Sequence, residues 1–271
     1  MTKTIIFVDN VKKTWSLKEL EDFIEDMNKY WSSKADSFSE YNDKEHNSEL
    51  GKLWESFLKN GLGDRKNLNV LEVGCGPGFF AILLAKMGHN VTAVDYSEQM
   101  LEKAKENAKK YGVEDKIKFM RMDAQNLKFE DETFDAVTSR MITWILDDTK
   151  KAYEEWVRVV KPDGIVINID ANWYLHLHDK EAEDAFEKGM EEYKNSPYYK
   201  GETDETYSQI EEIQFQLPMS KVRRPQWDAD ILTRMDVNSF KIIPRLRGDI
   251  YIPEYNIIYK YIPTFMIIIE K

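Results

Sequence analysis

Three glycines at alternate positions, Gly74, Gly76 and Gly78, are the residues whose type and spacing most directly indicate a ligand site. They follow the apolar run Val70–Val73, and an apolar pattern at helical spacing begins in the next residue after them. Glycine permits positive φ angles and lets a ligand approach the backbone, while the first N–H groups of a helix are unpaired. The stretch is therefore predicted to be a strand, a tight turn and a helix around a small-molecule site.

A carboxylate about twenty residues further on indicates a nucleoside ligand. Asp95 ends a second apolar run, which is the usual place for the partner of ribose hydroxyls. Dinucleotide sites carry a third glycine where this chain has the bulky Phe79, and the lysine of a phosphate-binding loop is missing. The loop therefore suits a nucleoside that has no diphosphate.

Five short motifs follow one another along the chain, namely Glu72–Gly78, Val94–Ser97, Met122–Ala124, Phe134–Val137 and Val159–Gly164. In this order they resemble the class I S-adenosylmethionine-dependent methyltransferases, over residues 68–172. The resemblance implies S-adenosyl-L-methionine as cofactor and S-adenosyl-L-homocysteine as product. It also implies a Rossmann-like α/β fold, doubly wound, with a mostly parallel seven-stranded sheet and an antiparallel C-terminal edge.

The resemblance assigns the methionine part of the cofactor to the glycine loop. Gly74, Gly76 and Gly78 would line it, and Glu72 would lie near its ammonium group. Cys75 belongs to the same loop, where a small residue fits, and we interpret it as a packing residue rather than a nucleophile.

The nucleoside part is assigned to the ends of the next two strands. Asp95 would accept hydrogen bonds from both ribose hydroxyls, and Tyr96 and Met100 would enclose the adenine. Asp123 would accept from the adenine amino group, and the Ala124 N–H would face a ring nitrogen. The alternative for both aspartates is that each strand-end carboxylate caps the helix that follows.

Aromatic residues before the glycine loop are further candidates for cofactor contact. The family often places an N-terminal helical pair over the cofactor, so Tyr30, Trp31, Phe38 and Tyr41 could touch the ligand. The alternative is that they pack these helices on the core. We include Tyr41 among the expected cofactor contacts.

Methyl transfer from a sulfonium is an in-line displacement, so alignment and exclusion of water are the main contributions an enzyme can make. A base is needed only if the acceptor carries a proton. The candidates at the ends of the fourth and fifth predicted strands are Arg140, Asp170, Tyr174 and His176. Arg140 would bind the cofactor or an acidic acceptor, or pair with a nearby carboxylate. His176 is a candidate base, and we assign no metal although His178 lies close to it in sequence.

The alternation of strands and helices divides the chain into four segments, which we expect to form one globular unit. These are an N-terminal helical cap (1–61), the Rossmann-like core (62–172), an insertion (173–238) and the last strands (239–271). Within the cap, residues 1–15 are predicted to be an extended arm and residues 32–47 a connection between two helices. The insertion is predicted to hold helices at 179–194, 206–217 and 228–235 and to act as a lid over the acceptor.

Composition limits the possible partners. The net charge of −11 argues against nucleic acid, which needs a basic face. The residues after the fourth strand, Ser139–Ile142, also lack the proline-rich motif of nucleic-acid amino methyltransferases. No apolar run is long enough for a membrane span, and the single cysteine fits a reducing cytoplasm. We therefore predict a cytoplasmic monomer or homodimer that methylates a small molecule. A tRNA or protein methyltransferase and a non-catalytic regulator that binds the cofactor remain as alternatives.

Overall fold

The structure is a computed structural model that describes residues 3–8, 11–199, 201 and 214–271. Two short strands, β1 (Lys3–Val8) and β2 (Val11–Ser16), pair antiparallel where the sequence predicted only an extended arm. Helix α1 (Leu17–Ser33) follows them, in agreement with the predicted first helix. Among the helices of the described residues, none is both long enough and apolar enough to cross a membrane.

The prediction that residues 32–47 form a connection is wrong, because this segment contains helix α2 (Ala35–His46). Its sequence has no apolar stripe, and the residues that it buries include the polar Asn42 and Glu45. Helix α3 (Glu49–Leu62) continues one residue beyond the predicted stop at Gly61. A side chain at Gly61 would collide with Ile167 of the sheet, so this glycine serves close packing rather than helix termination.

The central sheet confirms the predicted fold class. Its seven strands are β3 (Asn69–Val73), β4 (Asn90–Asp95), β5 (Ile117–Arg121), β6 (Phe134–Arg140), β7 (Val160–Ala171), β8 (Ser239–Ile243) and β9 (Thr264–Glu270). They lie in the order β5-β4-β3-β6-β7-β9-β8. Strands β3 to β7 run parallel, and β9 is antiparallel to both of its neighbours.

Three crossover helices connect the parallel strands, α4 (Phe79–Lys86), α5 (Glu98–Lys110) and α6 (Thr149–Val159). Helix α4 buries all its residues from Phe79 to Ala85, and the fully buried Trp54 of α3 packs in the same cluster. On the other face of the sheet, the buried Tyr153 and Trp156 of α6 belong to a second cluster. The sheet is therefore covered on both faces, as a parallel sheet requires.

The region after the fifth parallel strand holds helices α7 (Lys180–Lys194), α8 (Gln226–Leu232) and α9 (Pro253–Ile258). The predicted helix at 206–217 lies mostly outside the described residues. The helix predicted to begin at residue 228 begins two residues earlier, so Asp228 lies inside α8, where it is fully buried and does not cap the helix. There it pairs with Arg224, at 2.5 Å between Oδ1 and Nη2, and accepts a hydrogen bond from the Tyr153 hydroxyl at 2.7 Å.

Candidate cofactor site

A cavity lies beyond the carboxyl ends of β3, β4 and β6, where the strand order reverses. This is the position at which open α/β sheets bind ligands. Its floor is the glycine loop together with the ends of β4 and β6, and side chains of α1 and α2 complete its lining. The cavity therefore lies between the sheet and the N-terminal helices.

The glycine loop has a backbone that only glycine adopts easily. Gly74, Gly76 and Gly78 have φ angles of 69°, 50° and 90°. A side chain at Gly74 would collide with Ile142, whereas a Cβ at Gly76 would meet nothing within 4 Å. Gly76 therefore leaves open space in the cavity wall, which a ligand can approach.

Asp95 lines the cavity and also holds the glycine loop. Its Oδ2 accepts from the Gly76 N–H at 2.8 Å, and its Oδ1 accepts from the Ser97 N–H at 2.9 Å. Each oxygen of an ionised carboxylate retains a further lone pair for a ribose hydroxyl. Burial raises the pKa of Asp95, and these backbone donors oppose the rise. The cap of α5 is made by the Ser97 side chain, which accepts from the Met100 N–H, so Asp95 is not needed for that purpose.

Glu72 is the residue whose environment most clearly calls for a cationic ligand. It is 2 % exposed and lines the cavity, and its Oε2 has no hydrogen-bond partner within the described part of the chain. Burial raises the pKa of Glu72 well above the ordinary value, although Arg140 nearby lowers it. A cationic group in the cavity would give Oε2 the partner that it lacks.

The residues expected around adenine lie together at the other end of the cavity. Tyr96 is 43 % exposed, and the guanidinium of Arg121 lies over its ring at 5.2 Å. Met100 and Ala124 are buried in the lining, and the Ala124 carbonyl accepts from Trp156 Nε1 at 3.0 Å. The Oδ1 of Asp123 accepts from the Gln125 N–H at 2.9 Å.

Arg140 lines the cavity from the end of β6, but its charge is already paired. Its two Nη atoms lie 2.9 and 3.2 Å from the Glu45 carboxylate of α2. The guanidinium also lies 4.2 Å from the centre of the Phe79 ring and 4.8 Å from that of Trp54. Of the alternatives left open by the sequence, the structure has the pairing with a nearby carboxylate, and contact with the cofactor stays a prediction.

The other three residues predicted to be catalytic do not line the cavity. Asp170 is fully buried and accepts from the Trp144 N–H, Trp173 Nε1 and Arg224 Nη1 at 3.0 to 3.1 Å. His176 stacks on Phe186 with ring centres 4.0 Å apart, and burial lowers its pKa to about 4.

Tyr174, which has a φ of 63°, packs its ring 5.2 Å from that of Trp144. These side chains were predicted to face the acceptor because they follow a strand end. In the structure they make contacts within the protein instead, Asp170 and Tyr174 with Trp144 and His176 with Phe186.

Tyr41 was expected to touch the cofactor, but it packs 5.6 Å from the Tyr255 ring, outside the lining. Trp31 and Phe38 do line the cavity, as the sequence allowed. The lining also includes residues that the sequence did not single out as ligand contacts, namely Phe23, Ile24, Met27, Asn28, Asn42, Gln125, Ile142, Ile145, Leu146 and Asp147. The apolar members from α1, Phe23, Ile24 and Met27, recur at helical spacing in the sequence, which was a usable signal.

The described part of the insertion, residues 173–199, 201 and 214–238, contributes no side chain to the cavity lining. Leu217, Met219 and Trp227 are instead buried in the core cluster that contains Trp156. Of the described elements, α1 and α2 are therefore the ones that cover the cavity.

Comparisons with known proteins agree with this geometry. Residues 71–168 match the family described as methyltransferase domain. A demethylmenaquinone methyltransferase of Staphylococcus aureus (strain MRSA252) is 36 % identical over 127 residues, which are 46 % of this chain and 52 % of that protein. The chain thus spans about half the length of the curated relatives it matches.

Two solved structures share the fold. A putative S-adenosyl-L-methionine-dependent methyltransferase of Methanococcus maripaludis is 21 % identical and has a TM-score of 0.57, over 89 % of this chain and 93 % of that one. Geranyl diphosphate C-methyltransferase of Streptomyces coelicolor A3(2), solved with Mg²⁺, geranyl diphosphate and S-adenosyl-L-homocysteine, is 15 % identical. Its TM-score is 0.53, over 81 % of this chain and 78 % of that chain.

The fold is the Rossmann-like fold of class I methyltransferases, and residues 71–168 match the methyltransferase domain family. The Methanococcus maripaludis structure that shares this fold is described as dependent on S-adenosyl-L-methionine. The residues present fit S-adenosyl-L-methionine: the unpaired Oε2 of Glu72 suits its ammonium, and the open space at Gly76 suits close approach of its methionine part.

Proposed function

We propose that this protein is an S-adenosyl-L-methionine-dependent methyltransferase that acts on a small-molecule acceptor in the cavity beneath α1 and α2. The observation that carries the proposal is the placement of Glu72, the glycine loop and Asp95 around one cavity, with the Glu72 Oε2 lacking a hydrogen-bond partner. A bare nucleotide would leave that oxygen unpaired, whereas an amino-acid ammonium would pair with it.

The cofactor, when bound, supplies an electrophilic methyl group on a sulfonium. Glu72 would hold the ammonium, and Asp95 would hold the ribose hydroxyls. Tyr96, Met100, Asp123 and Ala124 would hold the adenine. What remains for the chain is to orient the acceptor in line and to exclude water, for which α1 and α2 are placed.

A small molecule is proposed as acceptor because α1 and α2 contribute apolar side chains to the cavity wall. Phe23, Met27, Trp31 and Phe38 from α1 and α2 lie in its lining. The relative from Staphylococcus aureus is named for demethylmenaquinone, and the Streptomyces coelicolor structure holds geranyl diphosphate, both small molecules. The net charge of −11 also disfavours nucleic acid.

The covering helices are tied to the cofactor-binding core by polar contacts, which supports a cover of α1 and α2 rather than of the insertion. Ser32 Oγ of α1 lies 2.9 Å from Ser97 Oγ, next to Asp95. Asn107 of α5 donates to Ser39 Oγ of α2 at 2.9 Å and to the Pro77 carbonyl of the glycine loop at 3.0 Å.

Calorimetry with S-adenosyl-L-homocysteine and with NAD tests the proposal directly. We expect binding of the first with a dissociation constant on the order of micromolar, or about −8 kcal/mol, and no measurable binding of the second. Methyl transfer to a panel of small apolar acceptors then tests turnover. Tight binding of NAD, or of neither ligand, would contradict the proposed function.

A further inference from the structure

Two polar side chains of α1 that line the cavity each have a buried atom without a partner. Asn28 Oδ1 and Trp31 Nε1 make no hydrogen bond within the described residues. They are three positions apart, so they lie on one face of the helix. Asn28 Oδ1 can only accept a hydrogen bond, and Trp31 Nε1 can only donate one. A ligand group that donates to Asn28 and accepts from Trp31 would satisfy both.

The charged side chains that line the cavity disfavour acceptors with a negative charge. The ionisable side chains in the lining are Glu72, Asp95, Asp123, Asp147 and Arg140. In the described part of the chain Arg140 is the one cation of this lining, and Glu45 already pairs with it. Glu72, Asp95 and Asp123 are assigned to the cofactor, so a carboxylate or phosphate on the acceptor would meet Asp147 and, among the described lining residues, no side-chain cation that is not already paired.

Most of the other side chains that α1, α2 and residues 141–146 contribute to the lining are apolar. They are Phe23, Ile24, Met27, Phe38, Met141, Ile142, Ile145 and Leu146, and Asn42 is the further polar one. An apolar wall with one donor and one acceptor selects ligands by shape and by a single polar group.

Resting on the proposed function, we infer that the methyl acceptor is an uncharged, mostly apolar molecule whose polar group both donates and accepts a hydrogen bond, such as a hydroxyl. Asn28 and Trp31 are the specificity-determining residues that bind this group. These two residues bind the polar group of the acceptor whether or not that group also receives the methyl.

The test compares two probes of equal ring size in the presence of saturating S-adenosyl-L-homocysteine. At about pH 7, 2-naphthol is neutral and carries a hydroxyl, whereas 2-naphthoate carries a carboxylate. In a ligand-observed NMR titration of the full chain we expect 2-naphthol to bind about 100-fold more tightly, because an unpaired charge in an apolar site is strongly disfavoured.

The variants Asn28→Leu and Trp31→Phe test whether these two residues bind the hydroxyl of 2-naphthol. Each variant should weaken 2-naphthol binding about three- to tenfold, which corresponds to the loss of one hydrogen bond. The affinity for S-adenosyl-L-homocysteine should stay within about twofold of the unmodified protein's. The matched control is Trp227→Phe, because that indole N–H is also buried and unpaired but lies in the core outside the cavity lining. It should leave 2-naphthol binding unchanged.

The outcomes separate this inference from the proposed function. If S-adenosyl-L-homocysteine binds but 2-naphthoate binds as well as 2-naphthol, the acceptor class inferred here is wrong and the proposed function stands. Equal loss in Trp227→Phe and Trp31→Phe, or no binding of either probe to the cofactor-bound protein, would also overturn it. Failure of S-adenosyl-L-homocysteine to bind the unmodified chain would overturn the proposed function itself.

Discussion

Arg140 at the end of β6 makes a two-point ion pair with Glu45 of α2, with one Nη–Oε distance of 2.9 Å and another of 3.2 Å. The Glu45 carboxylate is fully buried and also accepts from Trp54 Nε1 of α3 at 3.1 Å. The pair thus joins two N-terminal helices to the strand that ends at the cavity. The ion pair fixes the position of α2 relative to the end of β6, because apolar packing alone would not define a single position for this helix.

Replacement of Glu45 by Gln should destabilise the fold, because it leaves the Arg140 guanidinium buried without its counter-charge. Breaking a buried pair by removing one partner costs about 3–5 kcal/mol. Denaturant unfolding of Glu45→Gln measures this. The control is Glu49→Gln, whose exposed pair with Lys52 should contribute less than about 1 kcal/mol. Equal effects of the two variants would show that the pair is not structural.

Asp95→Ala should weaken cofactor binding by about 2–3 kcal/mol, because it removes a charged acceptor for the ribose hydroxyls. It also removes the bonds that hold the Gly76 and Ser97 N–H groups, so the loop itself loses order. Calorimetry with S-adenosyl-L-homocysteine measures the loss, and thermal unfolding without ligand shows how much of it is structural. Asp115→Ala serves as control, because this residue lies just before the start of β5 and therefore at the amino ends of the parallel strands. Unchanged affinity in Asp95→Ala would remove this residue from the site.

Glu72→Gln should change the pH dependence of stability in the absence of ligand. Burial raises the pKa of Glu72 in the folded state, so between the unfolded pKa, about 4.3, and the raised value the folded state binds the extra proton. This residue's contribution to stability is therefore largest at low pH and falls as the pH rises through that window.

Glu72→Gln has no carboxyl group to titrate at this position. Its free energy of unfolding, relative to that of the unmodified protein, should therefore increase from about pH 4 upward. It should also bind S-adenosyl-L-homocysteine more weakly, since the ammonium loses its carboxylate. A stability difference that is constant from about pH 4 to 8 would contradict the role assigned to burial at this position.

The parts of the site that could be predicted from sequence are those held by short-range geometry. The glycine loop and Asp95 are fixed by one strand, one turn and the next strand, and the motif spacing carries that information. Helix α2 could not be predicted, because Glu45 is stabilised by Arg140, which lies 95 positions away in sequence. Asp170 was correctly placed near a strand end, but its carboxylate is taken up by Arg224, 54 positions further on. Long-range polar pairing of this kind leaves no periodic pattern in the sequence.

His176→Gln should leave methyl transfer within about threefold of the unmodified rate, although the sequence pointed to a base at this position. Its ring stacks on Phe186 outside the cavity lining, and burial keeps it neutral by lowering its pKa to about 4. The rate with a working acceptor is compared with that of His178→Gln, an exposed neighbour. A loss of more than about tenfold specific to His176→Gln would restore the base assignment.

Asp170, at the end of β7, was also predicted to be catalytic, and the variant Asp170→Asn tests whether its role is structural or catalytic. The carboxylate accepts from the Trp144 and Ala171 N–H groups, the Thr143 hydroxyl, Trp173 Nε1 and Arg224 Nη1, so the buried guanidinium would lose a counter-charge. We expect a loss of about 3–5 kcal/mol in unfolding free energy, although Asp228 still pairs with Arg224.

Affinity for S-adenosyl-L-homocysteine and the rate per folded molecule should change little, because Asp170 does not line the cavity. The exposed Asp163→Asn is the control for both measurements. A stable Asp170→Asn variant with a lost rate would show that this carboxylate acts on the acceptor after all, which would require a different arrangement of the strand end from the one described.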